Sequence, residues 1–112
     1  MKTVTILGAG VMGSAMTLPF ADRGFEVRLV GTHLDGEIIE SVRASLLHPK
    51  LNVTLPAQVK SFTYDQFAQA VGTDTDLILL GVSSAGVMWA IERLSETLGK
   101  PIPVLMITKG MH

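Results

Sequence analysis

The hydrophobic and polar positions of this chain repeat with two periods in turn, and each change of period marks an element. Thr3-Val4-Thr5-Ile6-Leu7 is short, β-branched and apolar and stops at Gly8, which predicts a buried strand. From Val11 to about Arg23 the apolar residues Val11, Met12, Ala15, Met16, Leu18 and Phe20 recur at close to the helical period, with Gly24 as a stop signal. Pro19 interrupts that helix, and an interior proline removes one hydrogen bond and predicts a kink. A second strand is predicted from Phe25 to Val30, with Phe25, Val27 and Leu29 on one face and Gly31-Thr32 closing it. Asp35 is placed to cap a helix from about Gly36 to Leu47, whose apolar stripe is Ile38, Ile39, Val42 and Leu46 and which His48-Pro49 ends.

The stretch from Pro49 to Pro56 has two prolines and one asparagine without a clear period, which predicts a loop; His48 beside it reads as a loop residue. Ala57 to Thr63 predicts a third strand, and Asp65 to Val71 a short helix containing Phe67, Ala68 and Val71. Leu77-Ile78-Leu79-Leu80-Gly81-Val82 is the most apolar run and the best candidate for a central strand. Ser83 or Ser84 can cap a helix from about Ala85 to Leu98, with Val87, Ile91, Leu94 and Leu98 on one face and Gly99 at its end. Val104 to Thr108 is a fifth strand, followed at once by Lys109-Gly110. Five strands separated mostly by helices predict an α/β chain: a Rossmann-like doubly wound parallel sheet in a single three-layer domain, because each parallel crossover must return over one face.

Composition narrows the function classes. Hydrophobic residues make up 47% of the 112 and charged residues 17%, which suits a sheet buried on both faces. A net charge of −1 with scattered Lys and Arg offers no bulk attraction to nucleic acid. The absence of cysteine excludes disulfides and thiolate metal sites, and no apolar run approaches the ~20 residues of a membrane span. The start of the chain lacks the pattern of a secretory signal, so the expected location is cytoplasmic, with no membrane partner. Asp74 and Asp76 flank Thr75 without the spacing of a calcium loop, no metal site is expected, and Trp89 and the six methionines read as core.

The chemistry sits in Gly8-Ala9-Gly10-Val11-Met12-Gly13, a dinucleotide fingerprint between a strand and a helix. Gly8 makes the tight turn, Gly10 lets the backbone approach a pyrophosphate, and Gly13 lets the helix pack on the sheet. Free N–H groups and the helix dipole then hold the negative charge. The acid that normally follows about 20 positions on, at the end of the second strand, is missing: the strand ends in Val30-Gly31-Thr32-His33, and Asp35 lies beyond the expected place. NAD or NADP is therefore expected, with NADP favoured, because small polar residues there leave room for a 2′-phosphate and Arg28 or His33 could contact it. His33 reads more simply as a solvated loop residue than as a phosphate contact. Val82, Ser83 and Ser84 reach the same sheet edge, where the serines either line the nicotinamide end or cap a helix. Lys109, at the carboxyl end of a strand, either pairs with an anionic substrate or is simply solvated.

With these residues in place, the chain resembles the amino-terminal domain of NAD(P)-dependent glycerol-3-phosphate dehydrogenases over nearly its whole length. Gly8 to Ala15, Glu26 to Gly31, Gly81-Val82-Ser83-Ser84 and Thr108-Lys109-Gly110 carry the resemblance, although the family often has proline where Ser83 stands. The resemblance implies that Lys109 lies in the active site and contacts a phosphorylated small-molecule substrate. It also implies a helical carboxy-terminal catalytic domain that is absent from residues 1–112, so that this chain binds cofactor without appreciable turnover and exposes an apolar face on which it could form a homo-oligomer. The same fingerprint resembles ketopantoate reductases and β-hydroxyacid dehydrogenases, and a stand-alone NAD(P)-binding or sensing module is the alternative of a different class.

Overall fold

The computed structural model describes residues 2–9, 11–32, 35–49, 52–71, 74–81, 88, 90, 92, 94, 96 and 102–106, with the backbone alone at 11 and 12. The elements are β1 (Thr3–Leu7), α1 (Val11–Asp22), β2 (Glu26–Val30), α2 (Gly36–Ser45), β3 (Leu47–His48), β4 (Val53–Thr54), β5 (Val59–Phe62), a 3-10 turn (Tyr64–Gln66), α3 (Phe67–Ala70), β6 (Leu77–Leu80) and β7 (Val104–Met106). Five strands form one parallel sheet in the order β5-β2-β1-β6-β7. The chain first steps outward from β1 through β2 to β5, then returns to the other side of β1, so the order reverses between β1 and β6. That reversal opens a crevice at the carboxyl ends of those strands.

Side chains alternate across the sheet, and each face has its own core. Val4, Ile6, Val27, Leu29 and Leu79 pack with Ile38, Ile39 and Val42 of α2 and with Ala21 of α1. On the opposite face, Leu7, Val30, Ile78 and Leu80 meet Phe67 and Ala70 of α3 together with the helical residues Ala90 and Leu94. Thr5 lies fully buried on this second face, where its hydroxyl donates to the Ala70 carbonyl at 2.8 Å. The polar atom is thereby satisfied. The β6 run lies between β1 and β7 as an interior strand, while β1 itself occupies the middle of the sheet.

Several sequence expectations are corrected. The buried face of α1 is formed by Gly13, Ser14, Thr17 and Ala21, whereas Leu18 is 38% exposed. Small residues let this helix lie close on the sheet, so its large apolar side chains do not mark the inward face. Nor does Pro19 interrupt α1, which continues from Val11 to Asp22 with the proline on its exposed side. Helix α2 stops at Ser45, with Leu46 in the left-handed conformation at φ 63°, and Asp35 supplies no side-chain cap to it. The expected loop contains an antiparallel ribbon, Leu47↔Thr54 and His48↔Val53, turned with Asn52 at φ 54°. His48, read from sequence as a loop residue, is fully buried. The expected strand positions Val82, Ile107 and Thr108, and Val87, Ile91 and Leu98 of the expected helix stripe, lie outside the described residues.

An ion cluster ties the outer strands to the loop before β6. Arg28 donates to Asp74 at 2.7 Å and to Glu26 at 2.8 Å, while Lys60 stands 3.5 Å from Glu26. The hydrogen bond from Arg28 holds the Glu26 carboxyl below its ordinary range, and Asp74 chiefly raises the Arg28 guanidinium. Among the described residues no helix is long and apolar enough to cross a membrane.

Two outcomes are expected. A Cβ on Gly13 would lie 2.1 Å from the Gly8 carbonyl oxygen, a backbone atom, whereas one on Gly36 would meet nothing within 4 Å. Gly13→Ala should therefore lower unfolding stability by about 3 kcal/mol, while Gly36→Ala should hold or raise it by about 0.5 kcal/mol; urea denaturation reads both. Because the Glu26 carboxyl is depressed in the folded state, its pairing contributes stability above the ordinary glutamate range and loses it as pH falls through the lowered value. Between about pH 5 and about pH 3 the urea midpoint of Glu26→Gln should accordingly fall less than that of the parent chain.

Candidate functional site

The parallel register brings three glycines into one row. Leu7 pairs with Val30 on one side and with Leu80 on the other, so Gly8, Gly31 and Gly81 follow at the carboxyl ends of three neighbouring strands. Gly8 donates to the Val30 carbonyl at 2.7 Å and Gly81 to the Leu7 carbonyl at 2.8 Å, which continues the ladder one residue past the strands. At Gly8 φ is 107°, a left-handed conformation that a side chain strongly disfavours, and here the chain turns out of the sheet toward α1.

The start of α1 is pressed onto that turn. A Cβ on Gly81 would come within 2.6 Å of Gly13 Cα, and the Gly13 position leaves no room against Gly8, so three stretches of backbone touch where β1, β6 and α1 meet. The first-turn N–H groups of α1 and the positive end of its dipole lie at this junction. An anion reaching the crevice would meet donors and bare main chain.

Ala9, between Gly8 and α1, is held on both edges of its backbone. Its N–H donates to Asp35 Oδ2 at 3.1 Å, and its carbonyl accepts from Ser14 Oγ at 3.0 Å and from His48 Nε2 at 2.8 Å. A carbonyl can only accept, so Nε2 of His48 carries the hydrogen. Asp35 Oδ2 also accepts from the Thr32 N–H at 2.9 Å and from Thr32 Oγ1 at 3.1 Å, joining the end of β2 to the turn after β1. The sequence reading missed Asp35, Ser14 and His48 as supports of the turn.

The expected site residues thus divide into three groups. Gly8, Ala9, Gly13 and the backbone of Val11 and Met12 come together at the head of α1. Gly31 and Thr32 stand at the end of β2; Gly31 is needed for packing, since a Cβ there would lie 2.6 Å from Ile39. Gly10, His33, Val82, Ser83, Ser84 and Lys109 lie outside the described residues. Arg28 does not serve as the suggested phosphate contact, because its guanidinium is engaged by Asp74, Glu26 and the Ala70 carbonyl. Among the described residues no cluster of three His, Asp or Glu could hold a metal.

Comparison with known proteins adds to this geometry. A family profile described as the NAD-dependent glycerol-3-phosphate dehydrogenase N-terminus matches residues 3–112. An NADP(+)-dependent glycerol-3-phosphate dehydrogenase of Archaeoglobus fulgidus is 41% identical over 108 residues, covering 96% of this chain and 31% of that relative. The chain spans about a third of the length of the curated relatives it matches. The crystal structure of a glycerol-3-phosphate dehydrogenase from Coxiella burnetii superimposes with a TM-score of 0.84 at 23% identity, over 98% of this chain and 33% of that one. A ketopantoate reductase from Ralstonia eutropha shares the fold at TM-score 0.69 and 25% identity, over 96% and 34%.

The three bonds on one Asp35 oxygen generate an expectation of their own. Asp35→Ala should lower stability by roughly 1–3 kcal/mol, the cost of stranding part-buried donors, and speed hydrogen exchange at the Ala9 amide by about tenfold. Asp35→Asn, which keeps an acceptor, should lie between the two; amide exchange followed by NMR checks it.

Proposed function

We propose a function from one established premise: this chain belongs to the NAD-dependent glycerol-3-phosphate dehydrogenase family and matches its amino-terminal part. The chain is a dinucleotide-binding domain of that family. Its backbone from Gly8 to Gly13 would hold the pyrophosphate of NAD or NADP. The observation that carries this reading is the packing of the α1 start against Gly8, with φ 107° at Gly8 and no room for a side chain at Gly13, because it leaves bare main chain and a helix start facing the switch-point crevice. The bound nicotinamide supplies the chemistry, accepting or giving up a hydride.

The remaining roles follow the strand ends. Gly31, Thr32 and His33 would meet the adenosine ribose, and Val82, Ser83 and Ser84 would flank the nicotinamide side. Lys109 would pair with the phosphorylated substrate, glycerol-3-phosphate or dihydroxyacetone phosphate. NADP is the preferred cofactor in this reading: the nearest acid, Asp35, has Oδ2 committed to Ala9 and Thr32 instead of being presented to a ribose, and the Archaeoglobus relative is NADP-dependent. The rest of the substrate pocket, with the helical catalytic domain, would come from sequence outside residues 1–112.

Calorimetry on the 112-residue chain tests this reading. NADPH should bind more tightly than NADH, and Gly10→Val, which adds a side chain where the pyrophosphate would approach, should weaken both by about a hundredfold or more. Glycerol-3-phosphate oxidation by the same chain should be undetectable. Failure of both nucleotides to bind would overturn the assignment, equal or tighter NADH binding would overturn the NADP preference, and turnover would overturn the need for a further domain.

A further inference from the structure

The ribbon formed by β3 and β4, inserted between α2 and β5, carries a fully buried histidine to the most constrained point of the site. His48 is 39 residues from Ala9 in sequence, and its Nε2 lies 2.8 Å from the Ala9 carbonyl oxygen. Burying an imidazole is costly unless its polar atoms are satisfied, and an aliphatic side chain would fill the same volume without that cost. Here the ring donates to a backbone atom inside the glycine fingerprint, the same atom that accepts from Ser14 Oγ at 3.0 Å.

We propose that His48 is a positioning residue for the dinucleotide site: by donating from Nε2 to the Ala9 carbonyl, it fixes the plane of the peptide that Ala9 contributes to the turn and so presets the main chain that grips the pyrophosphate. A peptide group is rigid and planar, so holding its carbonyl fixes the orientation of the whole unit. The Asp35 bond to the Ala9 N–H holds the preceding peptide, and the two together allow the turn little freedom. A turn held in shape before the ligand arrives loses less entropy on binding, which appears directly as affinity. His48 acts through Ala9 and is not itself a cofactor contact.

The inference rests on the dinucleotide-binding reading, and its test separates the two. NADPH affinity of the 112-residue chain is measured by fluorescence for the parent, His48→Gln, which retains a side-chain N–H, and His48→Leu, which fills space without one. His48→Leu should bind about tenfold more weakly, the scale of one lost buried hydrogen bond, with His48→Gln recovering most of that. Circular dichroism establishes that each variant is folded. A folded His48→Leu that binds NADPH like the parent overturns the proposal while leaving the dinucleotide reading intact; a parent chain that does not bind overturns both.

Should His48→Leu not fold, NMR of the parent supplies the readout. Saturating NADPH should shift the His48 Nε2–H resonance and slow its exchange with solvent, because ligand and brace act on the same peptide. A resonance unmoved in position and exchange rate would overturn the proposal, since a purely packing role predicts that result.

Discussion

Three backbone segments touch where β1, β6 and the head of α1 converge, and the surrounding architecture depends on that contact. No side chain fits at Gly13 or Gly81, and Gly8 must adopt a left-handed φ to leave the sheet. A larger residue at Gly13 or Gly81 would push α1 off the sheet and close the approach to its positive end. The parallel order, with its reversal between β1 and β6, places this contact where an open crevice is unavoidable. Fold and site are therefore two aspects of one steric condition.

Around that contact the protein adds polar restraint. Asp35, Ser14 and His48 come from three separate places in the chain and meet on the backbone of one alanine. Thr32 joins through the same Asp35 oxygen, so the ends of β1 and β2 are coupled. This is a preorganised turn, held by groups that need not touch any ligand. Its cost is a buried imidazole and a carboxylate withdrawn from other duties.

Much of this was legible in the sequence because sheet strands buried on two faces and glycines under steric demand both leave strong local signals. All five main strands and the helices α1, α2 and α3 could be read from apolar runs and punctuation. The losses have physical causes. The inward face of α1 is made of Gly13, Ser14, Thr17 and Ala21, whose smallness suits close approach but carries no hydrophobic periodicity. The β3–β4 ribbon is two residues wide on each side, too short for alternation to show, although Asn52 before the β-branched pair Val53-Thr54 was a usable turn signal. His48 and Asp35 could not be assigned because their partners are backbone atoms 39 and 26 residues away, and a main-chain carbonyl or amide has no letter in the sequence.

The placement of β1 also governs how the chain matures during synthesis. This strand is made before both of its sheet neighbours, β2 and β6, and the turn that follows it is locked by a residue from the β3–β4 ribbon. Until Leu77–Leu80 has emerged, Thr3–Leu7 has one open edge. Contacts of such long sequence separation form late. The turn after β1 therefore stays unfinished until the ribbon and β6 have both been made, so the most constrained backbone of the fold is set by its latest partners.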